Sequence, residues 1–245
     1  MKVMMRLRIL LLAAIWLAGA AVGGLAHETA HPGPALPLDA AGSSRVDANL
    51  ITGVDVSGSI SPLERLTQHL AIAAAVTHPD FIERIRLGRF GRVGFTVYAW
   101  SDAGATQVIV PWALIGSEEQ AHAVSQILAN AEIGFRGGLT DAGNAIRDAV
   151  RLLNASPFVA AHNVINLVTD GYPNGDSDPA RMRDVVVGKG ITLNALILPG
   201  ELGLVDYYRT EVVGGSASFA LDVASEDDFL AAFLHKFLLD IASLR

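Results

Sequence analysis

The residues with the clearest chemical potential stand in the stretch Leu50-Ile51-Thr52-Gly53-Val54-Asp55-Val56-Ser57-Gly58-Ser59-Ile60. A short apolar run ends in Asp-x-Ser-x-Ser and gives way to a helical pattern. If the run is a buried strand, Asp55, Ser57 and Ser59 leave its carboxyl end into the loop before the next helix. Open α/β sheets keep their ligands there. One carboxylate and two hydroxyls converging at that point are hard oxygen donors, suited to Mg²⁺, Mn²⁺ or Ca²⁺ and not to a soft metal. Taken alone, the same residues also fit a plainer account, in which Ser57 and Ser59 cap the next helix and Asp55 is a turn residue.

Two distant segments bear on that choice. Gly137-Gly138-Leu139-Thr140-Asp141-Ala142-Gly143 is a glycine-rich turn whose hydroxyl residue enters a helix. Val164-Ile165-Asn166-Leu167-Val168-Thr169-Asp170-Gly171 is a second strand-like run, ending in Thr-Asp-Gly. In this order the three pieces resemble the von Willebrand factor A (VWA) domain and its metal-ion-dependent adhesion site. The resemblance implies that Asp55, Ser57, Ser59, Thr140 and Asp170 surround one divalent cation, Mg²⁺ or else Mn²⁺ or Ca²⁺. It covers residues 49–245. A looser likeness, carried by Pro111-Trp112 and Asp206-Tyr207-Tyr208, is to uncharacterised bacterial secreted proteins made of a single VWA domain.

What chemistry would such a donor set support? Of the five implied ligands only two are carboxylates. In the resembling family the hydroxyls touch the metal directly and the carboxylates act largely through waters. A cation held mostly by neutral oxygens keeps much of its charge and gains by accepting an outside anionic oxygen, such as an acidic side chain of a partner protein. Mg²⁺ suits this, because it keeps octahedral geometry and exchangeable waters. Helix starts after Ser59 and near Thr140 would aim N–H groups at the same region. Gly58, Gly137 and Gly138 are expected to shape the loops. Asp141 is expected to cap a helix, Asp102 to sit in a hairpin, and the Asn174–Asp178 segment to be a solvated loop.

The resemblance thus implies an adhesion or assembly module and not an enzyme. A structural module with a vestigial site and a metal-dependent hydrolase are the alternatives. Against hydrolysis, Ser57 is not in a Gly-x-Ser-x-Gly elbow, and there is no Gly-x-x-x-x-Gly-Lys loop or His-Glu-x-x-His.

The 245 residues carry a net charge of −7 and no basic block that would track a phosphate backbone, so nucleic acid is not an expected partner. The chain has no cysteine, which excludes disulfides and thiolate chemistry. Lys2, Arg6 and Arg8 precede an apolar run from Ile9 to Val22, and Gly24-Leu25-Ala26 supplies small residues for cleavage. Residues 1–26 therefore read as a signal peptide and the protein as exported, periplasmic or secreted, with an uncleaved anchor as the alternative. No later apolar run reaches spanning length, so the mature chain is expected to have no transmembrane span. Residues 27–48, rich in Pro, Gly and Ala, read as a linker, and its His27 and His31 as polar residues rather than ligands.

Residues 49–245 alternate strand-like and helical segments. This predicts an α/β fold with a doubly wound, mostly parallel central sheet and helices on both faces. Arg92–Trp100 and Ala105–Trp112, joined by Ser101-Asp102-Ala103-Gly104, read as a hairpin whose second member is the antiparallel edge strand the resemblance implies. Ser61-Pro62-Leu63-Glu64 is a helix-start signature. Leu63, Leu66, Leu70, Ala73 and Ala74 are expected to form the buried face of that helix, with His69 solvated. In the last helix Phe229, Phe233, Phe237 and Ile241 are expected inside, widened by Leu230, Leu234 and Leu238.

Overall fold

The apolar run ahead of Asp55 forms a strand, and the rest of the chain is wound about it. The structure, a computed structural model, describes residues 45–132, 137–225 and 228–242. The expected signal peptide and most of the expected linker lie outside these. The strands are β1 (Arg45–Asp55), β2 (Val93–Trp100), β3 (Thr106–Ile115), β4 (Val159–Thr169), β5 (Ile191–Ile197) and β6 (Ala220–Asp222). They lie in the order β3-β2-β1-β4-β5-β6. Every neighbouring pair is parallel except β2–β3, as expected.

One boundary is corrected. β1 starts at Arg45 and not at 49, because Arg45 and Val46 already pair with Val159 and Ala160 of β4. The Asp47 carboxylate also holds the backbone N–H groups of Phe90 and Arg92.

Residues alternate across the sheet. Leu50 and Val54 face a layer made by α1 (Pro62–Thr77), α2 (Pro79–Arg86), α3 (Glu118–Ala129) and α7 (Phe229–Ala242). Ile51 faces the other layer, made by α4 (Ala142–Asn154), α5 (Pro179–Val187), α6 (Leu204–Tyr207) and the π-helical turn Tyr208–Val212. Gly53 is required where it stands, since a Cβ there would lie 2.6 Å from the Tyr98 ring. That ring passes over β1 so that its hydroxyl can donate to Ala145 O of α4 at 2.8 Å.

α1 begins with the full capping box: Ser61 Oγ accepts from Glu64 N, and Glu64 returns to Ser61 N. Its buried face is not the expected one. Of the expected residues only Ala73 is buried and Ala74 half-buried; Leu63, Leu66 and Leu70 are exposed, whereas Ala71, Ile72, Ala75 and Val76 pack inward and His69 is buried. The buried face is made mostly of small side chains, and the leucine spacing marks the exposed face.

In α7 the phenylalanines and Ile241 are buried as expected, but Leu230 is exposed and Leu234 and Leu238 are half-buried. The rest of the inner face is polar. Lys236 and Asp240 form a buried ion pair at 3.0 Å. Asn166 and Asn194, partners in β4 and β5, each donate a side-chain amide to Asp240. Among the described residues, no helix is long and apolar enough to cross a membrane.

Candidate metal centre

β1 has β2 on one side and β4 on the other, so the connections leaving β1 and β4 diverge at the switch point of the sheet. A crevice opens there at the carboxyl ends of the strands. The loop Val56–Ser61 follows β1 and the loop Asp170–Asp178 follows β4. Gly137–Asp141 enters from the start of α4.

The structure brings the five sequence-predicted side chains together here. Thr140 Oγ1 donates to Ser57 Oγ at 3.1 Å, and Ser57 Oγ lies 3.3 Å from Ser59 Oγ. Ser59 Oγ in turn donates to Asp170 Oδ1 at 2.7 Å. Asp55, fully buried, closes the group from below: its Oδ1 accepts from Ser57 N at 2.7 Å, and its Oδ2 accepts from Thr169 Oγ1 at 2.6 Å. Among the described residues no three His, Cys, Asp or Glu side chains group as a metal site. This cluster differs in kind, since three of its five donors are hydroxyls.

Burial pushes the Asp55 carboxyl up to about 6, against the hydrogen bonds from Thr169 and Ser57, which favour its charge. The Asp170 carboxyl is also raised, first by burial and then by the nearby carboxylate of Glu64, while Ser59 pulls it down. A desolvated carboxylate in a cluster with three hydroxyl oxygens and a second carboxylate fits a hard divalent cation, which would supply positive charge there.

Residues that carry no signature in the sequence hold the loops. Asn174 takes Thr140 N on its Oδ1 at 2.7 Å and returns its own N–H to Thr140 O at 3.1 Å. Its segment is thus a clamp at its first position, though Asp176 and Asp178 are exposed as expected. Ser101 Oγ donates to the carbonyls of Gly137 and Leu139. Asp102 closes its hairpin turn and also accepts from Leu139 N. Tyr208, fully buried, donates to Gly171 O at 3.3 Å. The only advance sign of these clamps was their place in or beside the loops.

Asp141 caps α4 through Asn144 N, as expected. Gly138 is required, because its φ is +99° and a Cβ would lie 2.5 Å from Ser101 Oγ. Gly58 is under no such constraint, since a Cβ there would meet only Gly138 O at an ordinary 3.5 Å. The N-terminus of α1 is closed by its own capping box, so Ser61 N and Glu64 N are not free to face the cluster.

Strand order, helical layers and the three loops together define the von Willebrand factor A fold. Solved structures agree. The von Willebrand factor type A protein from Catenulispora acidiphila matches with a TM-score of 0.57 and 17% identity, over 79% of this chain and 42% of that one. Proximal thread matrix protein 1 from the mussel byssus, described with a zinc-occupied metal-ion-dependent adhesion site, matches at 0.56 and 18%, over 82% and 46%. The pilus adhesin SpaC from Lactobacillus rhamnosus GG matches at 0.58 and 16%, over 80% and 30%. The matches span less than half the length of each of these chains, and at such identities the likeness is one of fold. A comparison with curated proteins finds no match. Residues 45–245 match the family described as "Protein of unknown function (DUF1194)", and the chain belongs to that family.

Proposed function

We propose that this VWA domain binds one divalent cation, Mg²⁺ in the first place, and uses it to capture an acidic side chain of a partner protein. Ser57, Ser59 and Thr140 would offer neutral oxygens, and Asp55 and Asp170 the two balancing charges. The cation would supply an electrophilic centre for an external carboxylate, and no reaction step is required of the protein. The single observation that carries this reading is the contact of Thr140, Ser57, Ser59 and Asp170 in one hydrogen-bonded row above buried Asp55. The mussel-byssus relative with its zinc-occupied site is consistent with a cation in this fold. The N-terminal pattern adds export as part of the proposal, with residues 1–26 as signal and a linker before the domain.

The test is a thermal melt of the purified protein with Mg²⁺ and with chelator. A ligand that binds only the native state raises the midpoint, by about 2.7 kcal/mol of stabilisation at a hundredfold excess over its dissociation constant. Asp55→Ala and Thr140→Ala are expected to fold and to lose that shift. Full, chelator-sensitive partner capture by both variants would overturn the ligand assignment. A pull-down from envelope extract, with and without chelator, then identifies the partner.

A further inference from the structure

Asn174 and Gly175 each have a structural role beside the candidate centre, and together they make a chemically weak link. Asn174 Oδ1 accepts from Thr140 N at 2.7 Å, and Asn174 N donates to Thr140 O at 3.1 Å. Gly175 lies against the residue that caps α4: a Cβ there would stand 2.5 Å from Asp141 Cβ. Asp141 Oδ1 in turn accepts from Asn144 N at 2.9 Å. The clamp therefore calls for an amide at 174, and the packing calls for glycine at 175.

Alone among the asparagines of the chain, Asn174 is followed by glycine. The amide nitrogen of the next residue lies within five-membered-ring reach of an asparagine Cγ, and glycine offers no Cβ to block the approach. Asn174 is exposed to water, in a loop outside helix and strand, and Gly175 is half-buried. The other aspartyl or asparaginyl link to glycine near the centre, Asp170-Gly171, is held differently. Gly171 is buried and its N–H donates to Thr169 Oγ1 at 3.3 Å. A carboxylate is also a poorer electrophile than an amide.

We propose that Asn174-Gly175 is a site of spontaneous deamidation, and that its isoaspartyl product irreversibly opens the clamp on Thr140. Hydroxide takes the Gly175 N–H proton, and the nitrogen attacks Asn174 Cγ. The bond from Cγ to the side-chain nitrogen breaks, and that nitrogen leaves as ammonia after taking a proton from water. A second water then opens the cyclic imide. Opening at Cγ gives aspartate, which keeps an acceptor for Thr140 N. Opening at the main-chain carbonyl gives isoaspartate. Its backbone runs through Cβ and Cγ, which adds a methylene where Gly175 already abuts Asp141. Its carboxylate is drawn back onto Cα, away from Thr140 N. The modification itself does not depend on the metal-capture reading; a consequence for cation binding rests on it.

The test begins by incubating the purified protein at alkaline pH with chelator. Peptide mapping locates each conversion of amide to acid, and enzymatic methylation detects isoaspartate. Conversion is expected first at Asn174, with isoaspartate as a product there. The isoaspartyl fraction is then separated by ion exchange, and hydrogen exchange at Thr140 N–H is followed by NMR. Loss of its acceptor should speed that exchange by about tenfold. In Asn174→Asp, which carries the same charge on an ordinary backbone, exchange should stay near that of the parent. An intact Asn174 while other asparagines convert, or parent-like exchange in the isoaspartyl fraction, would each overturn the inference. Mg²⁺ titration of that fraction should show binding weakened by about tenfold. If fresh protein takes up no Mg²⁺, the cation reading fails, while the two measurements in chelator decide this inference by themselves.

Discussion

The Ser59 hydroxyl donates to Asp170 Oδ1 at 2.7 Å, joining residues 111 positions apart in the chain. That bond ties the loop after β1 to the loop after β4. The glycine-rich loop is tied in by Gly58 N, which donates to Gly138 O at 3.1 Å, and by Thr140 on Ser57. The three loops are thus held together by their own hydrogen bonds, which would leave little ordering for a bound cation to impose.

Ser59→Ala should consequently separate folding from binding. Asp170 is half-buried and can recover water, so the variant is expected to lose only about 1 kcal/mol in urea melts with chelator. With Mg²⁺ the difference from the parent protein should widen, because a donor and a positioning bond disappear together. An unchanged Mg²⁺ shift would remove Ser59 from the centre.

The chelated protein should grow less stable as pH rises from 4 to 6. Asp55 is raised from 3.8 to about 6 in the fold, so its stabilising contribution is complete below 3.8 and is lost as pH climbs through 6. The full loss is on the order of 3 kcal/mol. His69 acts in the opposite sense, since burial lowers it and its contribution is lost as pH falls. Comparison with Asp55→Asn isolates the carboxylate: the parent should gain on the variant toward low pH. Mg²⁺ should reverse the trend, because a cation favours the ionised carboxylate, so its stabilising effect grows as pH passes 6.

Asn174 does not belong to the predicted donor set, yet it grips Thr140 from both sides of the peptide. Asn174→Ala removes the side-chain acceptor and keeps the backbone bond. Weakening of Mg²⁺ binding by about 10-fold or more is expected, in the range of outer-shell substitutions at metal sites. Asn174→Asp, which keeps the acceptor, should restore most of it. Calorimetric titration with Mg²⁺ distinguishes the two.

Under α7, Asp240 receives Lys236, Asn166 and Asn194 with no exposed surface of its own. Asp240→Leu leaves a buried ammonium and two amides without their acceptor, and should cost about 3–5 kcal/mol. Lys236→Met removes the cation but leaves both amide bonds, and should cost less. Equal costs in denaturant melts would show that the amides contribute nothing.

Much of this was legible in the chain. The mostly parallel sheet with its antiparallel edge strand, the capping box at Ser61, the Asp141 cap and the five converging residues follow from spacing and from the VWA resemblance. The inner face of α1 was not legible. Leu63, Leu66 and Leu70 look like a core stripe, but the side that packs inward is the one carrying the small Ala71 and Ala75 with Ile72. Nor does His69 announce its burial, since it sits beside those small residues and its Nε2 finds no hydrogen-bond partner. Thr169, Asn174 and Ser101 escaped notice because their roles arise from contacts between remote loops, which no local pattern encodes. The strand start at Arg45 was hidden because its charged residues serve the sheet end.

Both borders of the sheet discourage growth. β3 pairs with β2 through a register break, in which Phe95 faces Ala113 and Val97 faces Val110, and Pro111 falls inside that break. A proline at a bulge gives a newcomer strand neither a donor nor a straight template. The far border, β6, is only three residues long. Such borders give a further strand little to pair with, which is how sheet edges discourage strand-to-strand stacking of copies.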